Sequence, residues 1–243
     1  MRLRHAGWAL LGATMLGAGL LLSGPPAGMI DWLAARHPGC VYRLPVEEPL
    51  VALTIDDGPD PATTPGILAE LRRHGARATF FVITERLQGR APLVRRMLAE
   101  GHELGNHFTR DRPGIRLSAE AFAQDLEHAH RALSRYGPVR WARPGAGWYS
   151  QRMVATMAEK GYHCALGSVY PYDATIPSTT FASWHIIGNV QPGAIVVLHD
   201  GGARGERTVR VLETVLPALE RRGFRVVTLS ELAAAARPAS ATD

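Results

Sequence analysis

Thr54-Ile55-Asp56-Asp57-Gly58-Pro59-Asp60 decides how the chain is read. The apolar run Val51-Ala52-Leu53-Thr54-Ile55 has the length and composition of a buried strand, and Gly58-Pro59 stops it at once. Two adjacent carboxylates are therefore expected on the tip of a strand. Successive strand side chains point to opposite faces, so Asp56 and Asp57 need not do the same job. Like charges this close are costly unless a cation or a shared proton relieves them. Taken alone, the heptapeptide reads equally as an acidic turn that begins a loop.

Outward from this point the pattern repeats. Apolar, strand-like runs recur near residues 51–55, 78–82, 102–106, 139–143, 162–168, 194–198 and 224–228. Between them lie stretches with helical spacing at 65–74, 92–100, 118–136, 150–160, 208–222 and 230–236. The first has Thr64 as N-cap, Pro65 at its first position and Gly75 as its stop. Strands alternating with helices imply βαβ units and a parallel sheet. About seven such units predict an α/β fold closed into a (β/α) barrel, with a doubly wound open sheet as the other solution.

Ahead of the barrel, Arg2-Leu3-Arg4-His5 precedes a charge-free apolar run at 8–22, the pattern of a secretory signal or a membrane anchor. No A-x-A cleavage site comes after it and Ser23-Gly24-Pro25-Pro26 stops the run, which favours a retained anchor over a cleaved, secreted form. Basic residues before the run place the rest of the chain outside the cytoplasm. The expected organisation is an N-terminal apolar helix at 1–24, a linker at 25–44, one folded domain at 45–236 and a disordered tail at 237–243.

The 243 residues carry a net charge of +5 and a sequence pI of about 9.7, and 46% are hydrophobic, enough for a sizeable core. Arg72, Arg73, Arg95, Arg96, Arg221 and Arg222 are spread over predicted helix faces and are not interleaved with aromatics along one groove, which argues against nucleic acid. Two cysteines, Cys40 and Cys164, are too few for a disulfide framework or a zinc site. A single Cys40–Cys164 bridge is open in an oxidising compartment and closed in a reducing one.

In a parallel barrel, functional groups gather at the C-terminal strand ends. Those ends carry Asp56-Asp57, then His107 with Asp111 four residues on, then Arg143 running into Ala146, Gly147 and Trp148, then Tyr170 and Asp173, and finally His199-Asp200. Packing alone does not demand so many polar groups there. An Asp, a His and a second Asp form an N/O donor set for a divalent metal, with positions left for water and substrate. His102-Glu103 followed by His107 imitates a zincin, but the two histidines are five apart and not on one helix face, so His102 reads as structural.

Gly101-His102-Glu103-Leu104-Gly105-Asn106-His107 and Ile195-Val196-Val197-Leu198-His199-Asp200, with the opening heptapeptide, resemble the polysaccharide deacetylases with a NodB homology domain, carbohydrate esterase family 4. The resemblance covers about residues 45–235, with five motifs in the family's order. It implies a distorted (β/α) barrel and a divalent metal, usually zinc, with Co2+, Mn2+ or Ni2+ as alternatives. It also implies removal of N- or O-acetyl groups from chitin, peptidoglycan or xylan.

Residue by residue, the resemblance implies Asp56 as general base, with Asp57 and His107 as metal ligands. Asp111 is the third ligand, where the family usually has a histidine. Arg143-Pro144-Gly145-Ala146-Gly147 is similar to the third motif, Arg-Pro-Pro-Tyr-Gly. Arg143 then orients the base and the backbone N–H of Ala146 serves the oxyanion, with Gly147, Trp148 and Tyr170 on the substrate side. Tyr170-Pro171-Tyr172-Asp173-Ala174 stands for the fourth motif, Asp-x-x-Asp-Trp; Asp173 orients the acid, and the tryptophan is missing. His199 is the general acid. The expectation is a membrane-anchored, extracytoplasmic deacetylase of N-acetylated glycans. An O-acetyl esterase and a catalytically silent glycan-binding module are the alternatives.

Overall fold

β2 (Leu50–Asp56) is buried at all seven positions. That is why it reads as an unbroken apolar run: a strand covered on both faces has no reason to alternate. β3 (Ala78–Val82) lies on one side of it and β7 (Ile195–His199) on the other, both parallel. The computed structural model describes residues 27–36 and 38–236.

The remaining strands are β1 (Cys40–Val41), β4 (Glu103–Asn106), β5 (Trp141–Ala142), β6 (His163–Ala165) and β8 (Arg225–Val227). They form one sheet in the order β1-β6-β5-β4-β3-β2-β7, and β8 pairs with the first half of β2. Every ladder is parallel. Two isolated bridges tie the chain that follows β6 and β1 to β7 and the residue before it, Val169 to Val196 and Arg43 to Ala194. The sheet therefore curls into a (β/α) barrel, closed on one side by irregular chain instead of a ladder.

The pleat sorts β2 into two jobs. Val51, Leu53 and Ile55 face an outer apolar layer with Ile67, Leu68 and Leu71 of α2 (Thr64–Arg73) and Val211 to Leu219 of α7 (Gly202–Arg221). Leu50 and Ala52 join a cluster drawn from nearly every strand, with Phe81, Trp141, Ala165, Ile195 and Val227, which is the barrel interior. Thr54 and Asp56 continue the inward series by the period of two.

All seven strands expected from the sequence are present. The other helices are α1 (Ala27–Arg36), α3 (Ala91–Ala99), α4 (Ala119–Leu133), α5 (Gln151–Glu159), α6 (Thr179–Asn189) and α8 (Leu229–Ala235). Three differences from expectation matter. The stretch read as linker holds α1 and β1, and β1 is a strand of the sheet. Helix α6 was not expected, because Thr-Thr and Ile-Ile depress helix propensity and it lacks a clear polar face; Ser178 caps it by accepting from the Phe181 N–H. Helix α7 begins at Gly202, six residues before Thr208, because Gly201-Gly202 and Gly205 made its first turn look like loop.

The expected apolar helix at 1–24 and the tail at 237–243 lie outside the described residues. Among the described residues no helix is long and apolar enough to cross a membrane. Cys40 and Cys164 are register partners on β1 and β6, and both are buried free thiols with Sγ atoms 2.7 Å apart.

Gly105 in β4 has no room for a side chain: an added Cβ would meet the Phe81 ring at 2.5 Å. Phe81 is fully buried and cannot swing away. Gly105→Ala is expected to lower unfolding free energy by about 1–3 kcal/mol, the usual cost of overpacking. Guanidinium denaturation of the two proteins measures it; equal stability would show that the interior around Phe81 has room to yield.

Candidate functional site

Arg143 follows β5 and is 2% exposed, so its charge must be answered inside the protein. Nε donates to the Ala165 carbonyl at 2.9 Å and Nη2 to the Leu166 carbonyl at 2.6 Å. Nη1 donates to Thr54 Oγ1 at 2.9 Å and to Asp56 Oδ1 at 2.6 Å. The guanidinium lies over the Phe81 ring, 4.1 Å from its centroid. Asp56 thus reaches the barrel mouth with one oxygen already held by a buried cation.

His107 leaves the tip of β4. Its Nδ1 lies 2.7 Å from the Arg143 carbonyl, which can only accept, so Nδ1 carries the proton. Nε2 is the nitrogen turned to Asp57 Oδ1, 3.5 Å away. Both side chains are buried.

Asp57 should point away from Asp56 by strand alternation, yet both line one cleft. The reason is local: Asp57 has φ +74°, the left-handed region that Asp tolerates better than most residues. The bend turns its carboxylate back to the mouth. Burial, with Asp56 adding to it, pushes the Asp57 carboxyl up from its ordinary value, against the opposing pull of His107, His199 and Arg204.

The register of β2 with β7 sets Asp56 beside His199. His199 Nδ1 lies 3.0 Å from both Asp173 oxygens, and its backbone N–H donates to Asp173 Oδ2 at 3.0 Å. This leaves Nε2 as the ring nitrogen available to the cleft. Burial pulls the imidazole down, but the Asp173 hydrogen bond and the charges of Asp173, Asp56 and Asp57 outweigh it and raise His199 to about 8.

Asp200, next in sequence, serves the fold. Its carboxylate accepts from Thr63 Oγ1 at 2.5 Å, from Thr64 Oγ1 and from the Gly201 N–H at 2.7 Å. Its own N–H donates to the Asp56 carbonyl at 2.8 Å. One residue thereby latches β2, β7 and the starts of α2 and α7. His102 is also structural: it is buried, accepts from the Ala78 N–H at 3.2 Å and is pulled down to about 4 by burial.

The cleft holds about 630 Å3. Ala146, with φ +59°, and Gly147 line it, and Trp148 stands on its rim with 64% of its surface exposed. Tyr170 and Asp173 complete the set named from the sequence. Tyr42 and Tyr149, whose hydroxyls meet at 2.5 Å, also line it, and neither was expected. Tyr42 was hidden in the presumed linker. Arg204 was also missed; it belongs to the glycine-rich first turn of α7, and only its place four residues after Asp200 could have signalled it.

The sequence reading placed Asp57, His107 and Asp111 around one metal, and the structure brings together two of them. Among the described residues no three His, Cys, Asp or Glu side chains form a metal-binding group. Asp111 is half exposed, and its carboxylate faces Arg204 Nη2 at 3.7 Å. Asp57 and His107 do fit a divalent cation: a buried imidazole held at Nδ1 by the Arg143 carbonyl turns its other nitrogen to a carboxylate whose buried Oδ2 has no hydrogen bond.

A profile of the polysaccharide deacetylase family matches residues 43–165. A peptidoglycan-N-acetylglucosamine deacetylase of Bacillus cereus is 36% identical over 211 residues, 85% of this chain and 94% of that protein. A chitooligosaccharide deacetylase of Bradyrhizobium is 38% identical over 197 residues, covering 75% of this chain and 90% of that one. Among solved structures, a family 4 acetyl xylan esterase from Clostridium thermocellum in complex with a cobalt ion superposes with a TM-score of 0.68 at 30% identity, over 75% of this chain and 89% of that chain. With the profile match, these likenesses and the barrel in hand, the chain belongs to the polysaccharide deacetylase family.

Proposed function

We propose that the chain removes acetyl groups from N-acetylated glycans of the peptidoglycan or chitooligosaccharide kind. The carrying observation is the opposed pair at the mouth: Asp56 clamped by Arg143 on one strand and His199 clamped by Asp173 on its neighbour, both lining one cleft. A glycan-binding module that did no chemistry would have no need of a buried, oriented base beside a raised imidazole.

When bound by Asp57 and His107, a divalent cation, zinc first with cobalt, manganese or nickel as alternatives, would polarise the acetyl carbonyl and acidify water. The chain's own groups do the rest. Arg143 holds and aims Asp56, and Asp56 takes the proton from the attacking water. The left-handed turn at Ala146 and Gly147 presents backbone to the developing oxyanion. His199, protonated at neutral pH and held by Asp173, delivers a proton from Nε2 to the departing amine. Amide cleavage needs this acid, because an amide anion is a very poor leaving group. An acid oriented by Asp173 suits an amide, with an O-acetyl ester as the second reading. Trp148 offers an exposed indole for a sugar ring. A location outside the cytoplasm, with the apolar segment at 8–22 as anchor or signal, would bring the enzyme to such polymers.

Asp56→Asn is expected to lower the rate of acetate release from N-acetylglucosamine oligomers by about 10²–10⁴-fold, the span that a general base contributes. A chelator should suppress release by the unaltered protein. Full activity in the variant, or release indifferent to chelation, would refute the mechanism.

The acid should be lost as pH rises through about 8, where His199 deprotonates, so the rate is expected to fall on that side. Below its ordinary value of 6.5 the His199–Asp173 pair contributes its full stability, which is lost as pH climbs through the raised value. In Asp173→Asn the alkaline limb should move down by about 1–3 pH units. Imidazole proton shifts followed by NMR, with the pH–rate profile, test this; a limb that stays in place would show that Asp173 does not set it.

A further inference from the structure

Arg204 is the charged residue of the cleft for which hydrolysis has no evident use. Its Nη1 lies 3.0 Å from Asp57 Oδ2 and its Nη2 lies 3.7 Å from Asp111 Oδ2. The Asp57 contact is one of charge alone, since Oδ2 is buried and makes no hydrogen bond. The guanidinium therefore stands between the two carboxylates that a cation held with His107 would use.

We infer that Arg204 is a built-in competitor for the divalent-cation seat: it neutralises Asp57 and Asp111 while no metal is bound, and a metal enters only by displacing it. The inference rests on the reading of Asp57 and His107 as metal ligands given above. A guanidinium and a dication cannot share one carboxylate oxygen without repelling each other, so binding of either excludes the other. The side chain can leave. It is 32% exposed at the open mouth, and its long stem can turn to solvent.

The helix beneath it cannot leave. Gly205 packs so closely on Thr63 and Asp200 that a Cβ there would strike both, which pins the first turn of α7 to the Asp200 latch. A fixed backbone with a mobile charged tip is what a displaceable plug requires. The same pairing accounts for Asp111 in the place where the family usually carries a histidine. A carboxylate answers a guanidinium, which a neutral imidazole would not. Asp111 is thus matched to Arg204 in the metal-free protein and becomes available as an oxygen ligand once Arg204 has swung out.

The test is calorimetric titration of the metal-stripped full chain with Co2+, in a buffer that does not bind metal. Arg204→Gln keeps much of the length and removes the charge; Arg204→Lys keeps the charge. Arg204→Gln is expected to bind Co2+ at least about tenfold tighter than the unaltered chain, the scale on which contacts around a metal change its affinity. Arg204→Lys should stay close to the unaltered chain. Without metal, Arg204→Gln should melt at a lower temperature, and Co2+ should close that gap. Equal or weaker binding by Arg204→Gln overturns the proposal. His107→Ala separates the two ideas. If it abolishes binding while Arg204→Gln leaves it unchanged, the competitor role alone fails. If binding ignores His107→Ala, the assigned metal seat fails and the competitor role with it.

Discussion

One buried guanidinium holds the mouth of this barrel together. Arg143 extends from the end of β5, bonds to Thr54 and Asp56 of β2, takes up the carbonyls of Ala165 and Leu166 at the end of β6, and lies over Phe81 of β3. Its own carbonyl fixes His107 at the end of β4. Five neighbouring strands thus converge on one residue. Taking one partner from a buried ion pair costs about 3–5 kcal/mol, since the other charge is left without an answer. The placing of Asp56 and closure of the barrel depend on the same contacts, so the carboxylate cannot drift without loosening the fold.

The neighbouring carboxylates show how environment divides labour. Asp56 is answered by a full positive charge, whereas Asp200 is answered only by two threonine hydroxyls and a backbone N–H. Burial therefore pushes Asp200 up despite three donors. It suits a structural latch that ties β7 to β2 and does not line the cleft. Asp57 differs again: its left-handed backbone brings it to the cleft, where it meets an imidazole and an arginine. Three acidic residues at two adjacent strand tips thus have three distinct sets of partners.

The sequence exposed whatever obeyed a period. Most of strands β2 to β8 were legible as apolar runs stopped by a turn, β4 (Glu-Leu-Gly-Asn) more by its place in the alternation with helices, and the positions of Asp56, His107, Arg143 and His199 followed from the rule that strand ends carry function. What stayed hidden lacked such a signal. β1 is two residues long and gains its meaning only from its ladder with β6. Helix α6 has β-branched pairs where an amphipathic pattern would be expected. The φ of Asp57 is a property of the turn, and alternation alone would have sent its side chain to the wrong face. Arg204 was lost because Gly201, Gly202 and Gly205 resembled a loop, whereas they are small so that α7 can start against the latch.

The departures from the family's motifs make physical sense together. Gly145 stands where the third motif has its second proline, and there the backbone carbonyl of Arg112 approaches too closely for any side chain. Arg112 adjoins Asp111, the residue that departs in the second motif. The same segment is tied down from its other side: the N–H groups of Thr84 and Glu85 donate to the Phe108 and Thr109 carbonyls at 3.0 and 3.1 Å, and Arg110 Nε bonds Glu85 at 2.7 Å. A segment drawn in against Gly145 carries Asp111 beside Arg204. The path of residues 108–113 thus requires a glycine at 145 and sets acidic Asp111 opposite basic Arg204, which balances charge at the mouth.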